Sequence, residues 1–190
     1  MFNEICTEHA RLLDQVRAME PLLTTVGKRL AETVLSGRKL LICGNGGSAA
    51  DAQHFAAEVI GRFETDRPAF PAIALTTDTS VMTAVANDDA FEQVFARQVA
   101  GLGCRADGLI AISTSGNSPN ANAALMQAKE TGLITVALLG KDGGIMAKNA
   151  DYPVIVPGRV TARIQEMHIL ILHYWAGMIE TAICRETEAI

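Results

Sequence analysis

His54 and Glu58 stand four residues apart in a stretch with helical patterning, which sets an imidazole and a carboxylate one turn apart on one face. Gln165 and His173 lie eight apart in a later helical stretch, roughly 80° apart in projection. Together the four offer N, O, O and N donors, a set that a divalent ion such as zinc accepts. Either pair alone is equally an ordinary helix contact, and a single histidine on an apolar face is commonly a hydrogen-bonded core residue. Metal binding requires the two helices to meet, which spacing alone does not decide.

Two loops have the composition of anion and hydroxyl binders. Ser113-Thr114-Ser115-Gly116-Asn117-Ser118 supplies four hydroxyls and a glycine directly before a proline-initiated helix. The free N–H groups and positive dipole end of that helix face the loop, which makes it a phosphate cradle. A helix cap would need one serine rather than three serines and a threonine. Gly44-Asn45-Gly46-Gly47-Ser48 also joins a strand to a helix, with Asn45 and Ser48 able to bond hydroxyls; a tight turn is the plainer alternative. The Ser113–Ser118 loop is neither a Walker A nor a G-x-G-x-x-G sequence, so nucleotide binding is not indicated there. Two such loops in one sheet predict one ligand with a phosphate and a polyol. Asn87-Asp88 can contact a ligand but is also a common turn pair. Arg62, Arg67 and Arg163 can balance a phosphate, although surface arginines seldom do. Met167 and Met178 read as packing residues.

These groups must be positioned by alternating strands and helices. Short apolar runs at 39–43, 72–75, 108–112, 134–138 and 152–156 predict five strands, the last at an edge because it contains Pro153. Helical spacing predicts helices over 3–17, 21–36, 49–63, two pieces within 80–101 broken near Asn87-Asp88, 119–131 and 162–185. Ser118 is the expected N-cap of the helix at Pro119. Continuous apolar strands between helices imply an α/β fold: a doubly wound, mainly parallel five-stranded sheet with extra N- and C-terminal helices. Ligands then bind at the carboxyl ends of the strands, where both loops fall. Residues 1–190 read as one domain, with 1–36 a helical segment and 37–190 the α/β core.

The chain has 190 residues, 49% of them hydrophobic and 19% charged, enough to build a full core and to exclude wholesale disorder. A net charge of −5 argues against nucleic acid or an anionic membrane as the main partner. Cys6, Cys43, Cys104 and Cys184 form no close pair, as expected of a reducing cytoplasm. The first nine residues are too polar for a signal peptide. The last helix carries Gln165, Glu166, His168 and His173, which make it a poor membrane span. Its apolar residues reach around most of its circumference. That predicts a helical core shared between subunits of a symmetric oligomer, unless the N-terminal helices cover it within one chain.

Cys43-Gly-Asn-Gly-Gly-Ser48, His54-Phe-Ala-Ala-Glu58, Ala86-Asn-Asp88, Ile112-Ser-Thr-Ser-Gly-Asn-Ser118 and Arg163-Ile-Gln-Glu-Met-His168 followed by His173 occur in this order over nearly the whole chain. This set resembles the phosphoheptose isomerases, single-domain members of the sugar isomerase (SIS) superfamily with a flavodoxin-like fold. The resemblance implies conversion of sedoheptulose 7-phosphate to D-glycero-D-manno-heptose 7-phosphate, a precursor of lipopolysaccharide heptose. It also implies a cytoplasmic homotetramer with sites at subunit interfaces, 1–36 serving oligomerisation, and one zinc per subunit. By motif, Asn45, Gly46, Gly47, Ser48, Glu58, Asn87, Asp88, Ser113, Thr114, Ser115, Ser118 and Gln165 would bind substrate. His54, Glu58, Gln165 and His173 match metal positions, and Glu58 and His173 the acid/base pair. Ketose–aldose isomerisation through an enediol suits a carboxylate at carbon and an imidazole at oxygen. Two rivals are an SIS isomerase for another sugar phosphate and a non-catalytic SIS scaffold that binds the replication initiator. The scaffolds considered lack the glutamate that Glu58 matches.

Overall fold

The computed structural model describes residues 1–188; residues 189 and 190 lie outside it. Two helices come first, α1 (Phe2–Arg17) and α2 (Glu20–Leu35), the second with Pro21 in its opening turn. The core then alternates: β1 (Leu40–Gly44), α3 (Gly47–Ile60), β2 (Ala72–Ala74), α4 (Thr79–Asp88), α5 (Ala96–Leu102), β3 (Gly108–Ser113), α6 (Pro119–Thr131), β4 (Ile134–Gly140), α7 (Met146–Asn149), β5 (Tyr152–Val156) and α8 (Thr161–Glu188). A 3-10 turn at Phe91–Gln93 fills the gap between α4 and α5. The expected break at Asn87-Asp88 is where α4 ends. The main differences from expectation are the start of α3 and one additional helix, α7. α3 begins at Gly47, two residues early, which moves Ser48 from the loop into the first helical turn. The short α7 carries too few residues to show a helical period.

All neighbouring strands run parallel, in the order β2-β1-β3-β4-β5. β5 is an edge, so Pro153 costs the sheet no outer hydrogen bond. Both faces of the sheet are buried, and side chains alternate between them. Leu40, Ile42, Ile110 and Ile112 face a core that includes Leu12, Val26, Phe55 and Trp175, from α1, α2, α3 and α8. Leu41, Cys43, Leu109 and Ala111 face a second core with Val99, Ala121, Leu125 and Met146, from α5, α6 and α7. The chain reverses its winding direction between β1 and β3, so the crevice of a doubly wound sheet opens there.

α8 lies across α1, α2 and α3, with Trp175 fully buried and its indole N–H donated to the Leu23 carbonyl at 2.9 Å. The N-terminal helices thus cover much of its apolar surface within one chain. Leu170 and Tyr174 stay exposed, 42% and 39%. By length and composition, Thr161–Cys184 is long and apolar enough to cross a bilayer, but half of that window is packed inside the domain, as in a core helix.

Candidate active site

The two helices that carry the candidate donors run side by side in the same direction. Gly47 on α3 meets Gln165 on α8, His54 meets His173, and the loop after Ile60 meets Glu180. On α3, positions 47, 51, 54 and 58 form one stripe at helical spacing. A methyl group at Gly47 would stand 2.3 Å from Gln165 Nε2, so the missing side chain is what lets the amide lie over the start of α3.

His54, Glu58 and His173 converge, with one ligand atom from each within 4.8 Å of the others. His54 Nε2 is 2.9 Å from His173 Nε2 and 3.1 Å from Glu58 Oε1. Without a cation, one imidazole N–H must donate to the other ring's lone pair; with a cation between them, both lone pairs are used and no proton is needed. Phe63 lies against His173, ring centroids 5.5 Å apart. His54 and Gln165 line one open cavity of about 440 Å³ together with Asp51 and Glu166. Burial pushes the Asp51 carboxyl up to about 6, and one of its oxygens is buried without a partner. Glu166 accepts from His9 at 2.8 Å and from Arg163 Nε at 2.7 Å, so Arg163 is held by a neighbouring carboxylate.

In the second loop the hydroxyls of Ser115 and Ser118 gather around that of Ser113. Ser113 Oγ is 2.8 Å from Ser118 Oγ and 3.4 Å from Ser115 Oγ, and the Gly116 N–H donates to Ser113 Oγ at 3.1 Å. Ser118 is the N-cap residue of α6, but its hydroxyl makes no capping bond and turns into the cradle instead. Gly116, at φ +68°, passes so close to Gly143 that a Cβ would sit 2.1 Å from its carbonyl oxygen. Thr114 is half-buried at the same turn. In the first loop, Gly46 stands at the N-terminus of α3 and Ser48 is buried. Asn45 and Asn120 exchange two amide hydrogen bonds of 2.8 Å and so tie the two loops together. Asn87 and Asp88 bond each other on the exposed end of α4 and make no hydrogen bond to the other candidates among the described residues.

The SIS domain family matches residues 6–140. The phosphoheptose isomerase of Trichlorobacter lovleyi is 49% identical over 93% of this chain and 90% of its own length. Phosphoheptose isomerase 1 of Campylobacter jejuni is 51% identical over 91% and 93%. The chain belongs to the phosphoheptose isomerases of the SIS superfamily. The structure of the family member from Neisseria gonorrhoeae superposes with a TM-score of 0.90 at 40% identity, covering 95% of this chain and 97% of that one. The Francisella tularensis phosphoheptose isomerase superposes at 0.91, with 36% identity over 95% and 96%.

In this phosphoheptose isomerase chain the donor set fits a small divalent ion. Ligand atoms around tetrahedral zinc lie about 3.3 Å apart, given bonds of about 2.0–2.1 Å, and His54 stands at 2.9 Å from His173 and 3.1 Å from Glu58, near that spacing. Gln165, on the same cavity as His54, adds an amide oxygen as a candidate fourth ligand. Sequence reasoning missed Asp51, although its position on the stripe of His54 and Glu58 was a usable signal. It also missed Asn120, whose partner lies 75 residues away and leaves no local trace. Arg67 does not point toward the cradle: it bonds the carbonyls that end α3 and pairs with Glu180.

Proposed function

We propose that the chain interconverts sedoheptulose 7-phosphate and D-glycero-D-manno-heptose 7-phosphate, supplying heptose for lipopolysaccharide or related surface glycans. The observation that carries this is Glu58 beside His173 on separate helices, connected to the hydroxyl cradle through Gln165 over Gly47 and Asn45 on Asn120. The phosphate lies in the Ser113–Ser118 cradle, held by Thr114, Ser115 and Ser118 hydroxyls and the N-terminus of α6. The polyol runs toward Asn45 and Ser48. An amide has four hydrogen-bond positions, so Asn45 keeps two for a hydroxyl while bonded to Asn120. Asn87 and Asp88 take the remaining hydroxyls, and Gln165 contacts the reacting end.

Glu58 moves the proton between C1 and C2 through an enediol, and His173, when its lone pair is not spent on an ion, shuttles the proton between the two oxygens. His54, Glu58, Gln165 and His173 would hold one zinc ion per subunit, which when bound polarises the carbonyl and steadies the enediolate. A carboxylate has two oxygens, so one can serve as a ligand while the other takes the proton. Residues 1–190 form a single SIS domain, in which 1–36 cover α8 and contribute to a cytoplasmic homotetramer with sites near subunit interfaces.

The test is ¹H and ³¹P NMR of the purified protein with sedoheptulose 7-phosphate, alongside pentulose and hexulose phosphates. Preferential conversion of the heptulose phosphate is expected. Turnover of a shorter ketose phosphate alone would reassign the substrate, and no turnover of any would leave a non-catalytic SIS protein.

A further inference from the structure

Glu180 lies on α8 seven residues beyond His173, two turns along the same face. It is buried, yet it is charged and faces a loop rather than the apolar core. Its carboxylate accepts three consecutive backbone N–H groups, from Phe63 at 3.0 Å, Glu64 at 2.9 Å and Thr65 at 2.8 Å. Such a run of N–H groups is an anion-binding concavity, here filled by a side chain of the same protein. Arg67 Nε stands 3.3 Å from Glu180 Oε1, an ion pair without hydrogen-bond alignment. The other guanidinium nitrogens donate to Glu58 O at 2.6 Å and Val59 O at 3.0 Å, carbonyls in the last turn of α3. A cation there also complements the negative end of the helix dipole.

We propose that Glu180 and Arg67 form a buried clamp that fixes α3 against α8, and that both are positioning residues for the His54, Glu58 and His173 cluster. This rests on the function proposed above. The clamp reaches the cluster by two short routes: through the Glu58 carbonyl, and through Phe63, whose ring lies 5.5 Å from that of His173. An apolar pair would join two helices at least as stably as a buried ion pair, because the charges must be desolvated. What the charged clamp adds is a single allowed geometry. Apolar helix faces can slide on each other by fractions of an ångström, whereas three N–H donors and two carbonyls accept one placement. Burial alone would push the Glu180 carboxyl up, but the three N–H donors and Arg67 outweigh it and hold it below the ordinary glutamate range.

The test is Glu180→Gln, which keeps shape but turns an NH₂ toward N–H donors and removes the charge opposite Arg67. Apo protein is titrated with cobalt(II), with the d–d absorption as the readout, and kcat and KM are measured on the zinc-loaded enzyme. The expected result is an unchanged far-UV spectrum, cobalt affinity and kcat each lower by at least about tenfold, and KM within about threefold, the range for residues that orient metal ligands. Arg67→Lys, which cannot reach Glu180 and two carbonyls at once, should do the same. A folded Glu180→Gln with wild-type cobalt affinity and kcat overturns the clamp. So does failure of both variants to fold, which would assign the pair to stability alone. Wild-type protein that neither binds cobalt nor isomerises the substrate would instead overturn the functional proposal.

Discussion

In the proposed mechanism Glu58 carries the heaviest chemical demand, its carboxylate serving proton transfer beside two imidazoles. Replacing it with Gln keeps the shape and removes the base, so turnover should fall by at least about 10²-fold with the fold intact. Near-wild-type turnover in a metal-matched sample would assign the proton to another group. His168 makes a different prediction. It is fully buried, donates Nε2–H to the Leu139 carbonyl at 2.9 Å, and leaves Nδ1 without a partner. Burial pushes its pKa from 6.5 down to about 4, so the folded chain keeps it neutral. The unfolded chain takes up a proton below about 6.5 and the folded chain does not. Stability is therefore complete above that pH and is lost as pH falls toward about 4. The gap of about 2.5 pH units, at 1.36 kcal/mol each, corresponds to about 3 kcal/mol. Urea unfolding of wild type and His168→Gln at pH 7 and pH 4.5 isolates this contribution. The variant should lose about 2–3 kcal/mol less than wild type between the two, and equal losses would contradict the buried neutral state.

The pairing of α3 with α8 sets the site, and at Gly47 there is no room for a side chain beneath Gln165. A Cβ there meets the far end of a flexible side chain, Gln165 Nε2, rather than backbone. Gly47→Ala should therefore fold normally, since alanine favours a helix. The added methyl displaces the Gln165 amide from the cavity, so metal affinity and kcat should each fall about tenfold while the melting temperature holds. Calorimetry with a zinc titration checks both halves, and unchanged zinc affinity would remove Gln165 from the ligand set. α3 and α8 were each legible in the sequence. The stripe of His54 and Glu58 follows from helical period alone, as does the edge position of β5 from Pro153. Less local features were not legible: Ser118 looks like a helix cap, yet its hydroxyl bonds Ser113.

Over the whole molecule, a groove between α1, α2 and α8 is lined by Leu13, Leu23, Leu170 and Tyr174 beside Arg17 and Glu20, and Leu170 and Tyr174 are exposed. If the chain assembles as proposed, this groove is a candidate surface for a second copy. Light scattering should give a mass near four times the 20.2 kDa chain, and Leu170→Asp should shift the protein to smaller species with less activity. A fully active 20.2 kDa monomer would refute the shared assembly.

By itself the sequence determined the order of the strands and the longer helices, the parallel sheet, the two polar strand-to-helix loops and the donor types on each helix. Those depend on short-range pattern: continuous apolar runs of about five residues, helical spacing, and glycine, serine and proline at chain turns. Tertiary structure alone decided that α3 and α8 run in parallel with His54 against His173. It also decided that Asn45 pairs with Asn120 and that Arg67 faces Glu180 instead of a phosphate. The rotation and shift of one helix on another come from side chains far apart in the chain, such as Trp175 on the Leu23 carbonyl and Glu180 on residues 63–65. No local period encodes those contacts, because they are fixed by how two separately formed surfaces interlock.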